Sequence, residues 1–196
     1  MISLLAIYGS AREQGNTDIL LDCAIKGACS TGKIKVEKIY VRKLNISACR
    51  ECHACSKTGR CIINDDMQQI YNYLEMAKIV IISSPVFFYG LPGHLKIFID
   101  RTQCCWAKKY ILKKTDDLNK KYGAFICTGA TKGKNLFNGV RLTVKYFFDS
   151  FNIEYFRELL IRKVDAYQEI FNKPEFLNFA ENLGREMVLF VNSCKK

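Results

Sequence analysis

Five short runs rich in isoleucine, valine, leucine and phenylalanine recur along the chain, at 2–8, 35–41, 79–83, 122–128 and 153–161, and stretches of helical period separate them. Such alternation admits few folds. Consecutive parallel strands need long crossovers, the crossovers are usually helices, and the helices must cover the faces of the sheet. Helices are expected at about 17–28, 66–76, 91–102, 136–151 and, beyond the last run, 174–194. The third run is apolar from Ile79 to Ile82, as a central strand covered on both faces should be. The expected architecture is therefore α/β, a five-stranded parallel sheet with helices on both faces. A chain of 196 residues that is 49% hydrophobic can bury one core without disulfides, so one domain over 1–196 is expected. That composition excludes collagen-like, disordered and mucin-like classes.

The longest apolar stretch, 79–91, is broken by Ser83, Ser84 and Pro85 and falls short of the roughly 20 residues that cross a bilayer. The apolar start of the chain lacks a preceding basic region and reads as a first strand rather than a secretory signal. A cytoplasmic location is expected, with no membrane partner. The charge balance, 30 Lys+Arg against 19 Asp+Glu, is +11, which suits nucleic acid, anionic membranes, small anionic ligands or acidic partners alike. Its densest patch is Lys108, Lys109, Lys113, Lys114, Lys120 and Lys121, diluted by Asp116 and Asp117, and it reads as a solvated face. No nucleic-acid-binding motif is present, and none is expected as partner.

The first run ends in Gly9-Ser10-Ala11-Arg12-Glu13-Gln14-Gly15-Asn16-Thr17 and leads directly into a helix. Glycines let backbone approach an anion, Ser10 and Thr17 offer hydroxyls, Arg12 offers charge, and the helix N-terminus adds free N–H groups with a positive dipole end. The loop lacks the lysine of a Walker loop and the glycine spacing of a dinucleotide fold. A plain polar turn capped by Asn16 or Thr17 is the competing reading.

Taken with two later segments, this loop resembles those of the NAD(P)H-dependent FMN reductases and their relatives, the iron-sulfur flavoproteins. Ser84-Pro85-Val86-Phe87-Phe88-Tyr89-Gly90 is similar to the family's loop after strand three, and Cys127-Thr128-Gly129-Ala130 takes the place of its third flavin loop. The resemblance implies a flavodoxin-like three-layer sandwich with strand order 2-1-3-4-5. It also implies FMN held by Ser10, Arg12, Gly15, Asn16, Thr17, Pro85, Val86, Phe87, Phe88, Tyr89, Gly90, Thr128, Gly129 and Ala130. In open parallel sheets, ligands bind beyond the carboxyl ends of the strands at the point where strand order reverses, so loops after strands one, three and four would meet in one crevice. Asp100 and Arg101 are expected to hold structure rather than touch flavin.

Ten cysteines is a high number for a reducing compartment and argues for metal or redox chemistry. Four of them, Cys49, Cys52, Cys55 and Cys61, lie within 13 residues as CxxCxxCx5C, in a connection at about 44–65 that is too long for a plain turn. Four thiolates so close suit a [4Fe–4S] centre; structural zinc, a redox-active thiol pair and an empty motif are the alternatives. The iron-sulfur flavoproteins carry a similar compact motif followed by an acidic pair like Asp65-Asp66. The remaining cysteines read as small buried hydrophobes, with Cys127 nearest the crevice, and His53 and His94 read as surface residues.

The resemblance implies an FMN-containing oxidoreductase passing electrons between a reduced donor, NAD(P)H or ferredoxin, and an acceptor. No catalytic acid or base is needed, since the flavin carries the chemistry. A cluster-free NAD(P)H-dependent FMN or quinone reductase, and a non-catalytic flavin- or zinc-binding protein, are the alternatives. A homodimer or homotetramer is implied in the same way.

Overall fold

A computed structural model describes residues 2–114 and 120–194; Asp116 and Asp117 lie outside them. The strands are β1 (Ile2–Tyr8), β2 (Ile34–Tyr40), β3 (Ile79–Pro85), β4 (Lys121–Gly129) and β5 (Ile153–Arg162). The helices are α1 (Asn16–Cys29), α2 (Ala54–Thr58), α3 (Met67–Met76), α4 (Gly93–Asp100), α5 (Gln103–Trp106), α6 (Asn138–Ser150) and α7 (Pro174–Ser193). All strand pairs are parallel, in the order β2-β1-β3-β4-β5. Strand order reverses between β1 and β3, which places a crevice beyond their carboxyl ends.

Alternation along each strand divides the core into two layers. From β1, Leu5 and Ile7 pack with Met67, Leu74, Phe98, Val144 and Phe147 of α3, α4 and α6. Leu4, Ala6 and Tyr8 face the other way, toward Leu20, Leu21, Leu183 and Met187 of α1 and α7. The second layer holds a close helix crossing. A Cβ on Gly27 would lie 1.8 Å from the Glu181 carbonyl oxygen, and one on Gly184 would lie 1.8 Å from that of Ala24, so α1 and α7 touch backbone to backbone. Cys127 sits fully buried in the first layer as a core residue.

The helix expected over 91–102 is corrected by the structure: α4 stops at Asp100, and the chain restarts as α5 and a π-helical turn, Ala107–Ile111. Thr102 makes the break, because its hydroxyl donates to the Ile99 carbonyl (2.6 Å) while its own carbonyl accepts the amides of both Cys105 and Trp106. The cap at Asn16 or Thr17 that the competing plain-turn reading supposed is not the one found. Gly15 is the N-cap, in extended backbone and without a side-chain cap bond.

Candidate functional site

Loop one leaves β1 with the Gly9 amide bonded to the Ser83 carbonyl (2.8 Å), which continues the ladder past the last named residue of β1. Only glycine allows this approach, since a Cβ there would sit 2.4 Å from Leu95 Cδ2 and 2.7 Å from that same carbonyl. The loop then folds over its own polar groups: Ser10 Oγ accepts the Arg12 amide (3.0 Å), and Asp18 accepts the Gln14 amide (3.2 Å). Beneath it the buried Asp18 pairs with Arg42 at 3.0 Å. Burial nevertheless dominates, over the opposing pull of Arg42, and pushes the Asp18 carboxyl up to about 6. His94, half-buried and close to the Gly9 and Ser10 backbone, is displaced downward by burial.

Ser10, Arg12, Gly15, Asn16 and Thr17 from this loop meet Pro85, Val86 and Phe87 after β3 and Thr128, Gly129 and Ala130 after β4, around one cleft of about 70 Å³. The Thr17 hydroxyl in its lining is buried without a hydrogen-bond partner. Phe88, Tyr89 and Gly90 are not brought to this cleft. They form the tip of a two-residue turn, closed by reciprocal bonds between Phe87 and Gly90 (2.8 and 2.9 Å), with Phe88 and Tyr89 at φ 48° and 60°. Positive φ is uncommon for aromatic residues, and it leaves the Phe88 side chain wholly in solvent.

A fourth wall of the cleft is not legible in the sequence: Val164, Asp165 and Tyr167, beyond β5. Arg12 Nη1 donates to the Asp165 carbonyl and Asn16 Nδ2 to that of Ala166, each at 2.8 Å, while Asn16 Oδ1 accepts the Ile170 amide (3.0 Å). Arg12 and Asn16 therefore tie loop one to the connection before α7. The acceptors in the first two ties are backbone carbonyls, which carry no residue signature.

The larger cavity, about 630 Å³, lies at the cysteine segment. Cys49, Cys52, Cys55 and Cys61 all line it, together with Cys104 and Trp106 of α5 and Tyr146 of α6. All ten cysteines are free thiols, with Cys49 and Cys52 exposed and Cys55 and Cys61 partly so. Glu51 and His53 stand at φ 49° and 55°, which coils the chain tightly between the first three thiols. Among the described residues, no three Cys, His, Asp or Glu side chains are drawn into a closed ligand shell. By chemistry and placement the donor set still suits a thiolate-bound group, because all four sulfur residues open onto one space. Cys104, read from sequence as a bland hydrophobe, is a fifth thiol on that space. Its Sγ lies 3.8 Å from that of Cys105, and the Cys105 thiol, seconded by the Tyr71 hydroxyl, draws it down to about 7 against burial.

The base of this segment is closed by the acidic pair. Asp65 accepts the Ser47 amide (3.0 Å) and the Met67 amide (3.2 Å), and Asp66 accepts the Asn45 amide (2.7 Å). Burial works against the Asp65 carboxylate, but the Arg101 guanidinium and these amides outweigh it and hold the carboxyl below its ordinary value. Asp100 instead faces outward and pairs with Lys96 (2.7 Å).

A parallel 2-1-3-4-5 sheet with its ligand loops at the reversal point is a flavodoxin-like arrangement. Known structures agree. An NAD(P)H:quinone oxidoreductase from Methanothermobacter marburgensis superposes with TM-score 0.74 at 13% identity, covering 95% of this chain and 96% of that one. A flavone reductase superposes with TM-score 0.74 at 17% identity, covering 99% and 64%. The profile of the NADPH-dependent FMN reductases matches residues 2–152, and the chain belongs to that family. Among curated proteins it is similar to an iron-sulfur flavoprotein of Archaeoglobus fulgidus, 34% identical over 130 residues, covering 66% of this chain and 56% of the relative. It is likewise similar to one of Methanocaldococcus jannaschii, 30% identical over 131 residues, covering 67% and 64%. The chain thus spans roughly three fifths of the length of the curated relatives it matches.

Proposed function

We propose that this chain is an FMN-dependent oxidoreductase of the iron-sulfur flavoprotein type. It moves electrons between a reduced donor, NAD(P)H or ferredoxin, and an acceptor such as a quinone or a protein. One observation carries the flavin half of the reading: eleven residues from three separate loops, all following strands that flank the reversal point or the next strand, surround one cleft. The unpartnered Thr17 hydroxyl at a helix N-terminus is the kind of donor an anion satisfies. A volume of about 70 Å³ accepts a phosphate and is well below the ~300–1,000 Å³ of enclosed ligand sites. The rest of FMN would lie outside the cleft, where Phe87 offers aromatic surface and 128–130 offer backbone, with Phe88 and Tyr89 on the adjoining turn.

Bound FMN supplies two-electron acceptance and one-electron release, and a [4Fe–4S] cluster supplies one-electron transfer. Cys49, Cys52, Cys55 and Cys61 are the residues that hold the cluster. The chain's own work is to bind and orient: loop one neutralises phosphate through N–H groups and hydroxyls, and the segment at 44–65 presents four thiolates. A reducing cytoplasm suits ten free thiols, and assembly as a homodimer or homotetramer belongs to the same proposal.

The test is iron, acid-labile sulfide, zinc and flavin per chain after purification without oxygen. About four irons and one FMN are expected, and Cys49→Ser removes iron while FMN stays bound. Flavin without iron leaves the cluster-free reductase; protein that binds no FMN overturns the reading altogether.

A further inference from the structure

Arg101 is 1% exposed, and so buried a guanidinium is costly unless it is paired and hydrogen-bonded. It follows α4 and reaches into the base of the cysteine segment. Four of its five N–H donors are accounted for. Nη1 donates to Asp65 Oδ2 (2.5 Å) and to the Ser47 carbonyl (2.8 Å). Nη2 donates to Asp65 Oδ1 (3.0 Å) and toward Cys61 Sγ and the Ile63 carbonyl, both at 3.5 Å. The fifth donor, Nε–H, is buried with no partner at all. The residue lines the same cavity as the four clustered cysteines.

A structural ion pair alone accounts for the fork on Asp65. It does not account for an N–H aimed at a thiol sulfur beside a cavity lined by sulfur residues, and the Nε–H is a further donor left without an acceptor there, as Arg42 Nε is beneath loop one. Both make sense if the cavity holds an anionic group whose sulfur atoms accept hydrogen bonds. We propose that Arg101 is a positioning residue of the four-cysteine site: it fixes Cys61 through the Nη2–H···Sγ bond, offers Nε–H to the bound group, and thereby raises its reduction potential. The inference rests on the cluster reading above.

The sign follows from charge. One-electron reduction makes a thiolate-ligated cluster more negative by one, and hydrogen bonds to its sulfurs from a fixed cation stabilise that state over the oxidised one. Asp65, bridging both Nη atoms, offsets part of the charge, but the hydrogen bond from Nη2 to the Cys61 sulfur still favours the reduced state. Lysine keeps the charge but lacks the planar fork that grips Asp65 and the Nε–H that Arg101 has to spare.

The experiment compares wild type, Arg101→Lys and Arg101→Gln, purified without oxygen, by iron and sulfide content and by redox titration of the cluster's electron paramagnetic resonance signal. The expected result is retained iron with at least a tenfold drop in the reduced-to-oxidised ratio at a fixed potential, about 59 mV for one electron, for Gln, and a smaller drop for Lys. Retained iron with an unchanged potential in both variants overturns the inference and leaves the cluster reading standing. Wild-type protein without iron overturns the cluster reading and this inference with it. Should the variants fail to fold, pulsed resonance on reduced wild type carrying ¹⁵N-guanidino arginine decides. A nitrogen coupling from hydrogen-bond range supports the role, and its absence removes it.

Discussion

Among the described residues, the Thr17 hydroxyl and the Arg101 Nε–H are buried with nothing to bond, as are Arg42 Nε and the Ser83 hydroxyl, and Thr17 and Arg101 belong to the linings of different cavities. A buried donor without a partner costs about 1–3 kcal/mol, a cost that a bound acceptor at either residue would remove. For Thr17 this gives a sharp expectation. Thr17→Val keeps shape and removes the hydroxyl, so unfolding free energy should hold or rise slightly, while the Kd for FMN rises about five- to tenfold, the loss of one hydrogen bond worth about 1–1.4 kcal/mol. Fluorescence titration of FMN against both proteins measures it, and equal affinities would remove Thr17 from the phosphate site. The place of Thr17 in the first turn of the helix after loop one was legible in the sequence. That Arg101 holds structure was expected as well, and its ion pair with Asp65 agrees; its partners were not legible, because Ser47, Cys61 and Asp65 lie 36 to 54 positions away and nothing in the sequence pairs them.

At the scale of elements, the three central strands were readable because each is a run of buried, largely apolar residues, and β1 coincides with its expected span of 2–8. The last helix was readable too, but its docking was not. Small residues at 27 and 184 look like weak points in helices until the structure sets them against each other across the α1–α7 crossing. Gly184→Ala would put a methyl within 1.8 Å of a backbone oxygen, so the helices must separate and the strain of overpacking, about 1–3 kcal/mol, outweighs the better helix propensity of alanine. Denaturant unfolding should show a lower midpoint with little change in slope; a more stable variant would mean that the crossing is looser than this. The connection after β5 was illegible for another reason. It reaches the cleft partly through main-chain carbonyls at Asp165 and Ala166, which any residues could supply.

For the whole molecule, carboxylates set the response to pH, and they do not all act alike. Against the effect of burial, Asp65 is held low by Arg101 and backbone amides, and Asp149 by the Tyr110 hydroxyl and Lys109. Their contribution to stability is complete above the ordinary carboxylate range and is lost as pH falls through their lowered values. Asp18 runs the opposite way. Raised by burial from 3.8 to about 6, it stabilises the fold most below 3.8 and loses that contribution as pH rises through about 6. Asp18→Asn should therefore flatten the dependence of unfolding free energy on pH between about 4 and 6, which urea titrations across that interval would reveal; an unchanged slope would mean that Arg42 already keeps Asp18 ionised. The parallel sheet and its crevice rest on residues distributed over the whole chain, whereas the thiols stand on a segment whose two ends are clasped at Asn45, Ser47, Asp65 and Asp66. That clasp makes the segment a cassette. Its interior can lengthen, shorten or exchange its sulfurs while β2 and α3 keep their places, so whatever the segment carries can change in this architecture without rebuilding the cleft at the strand ends.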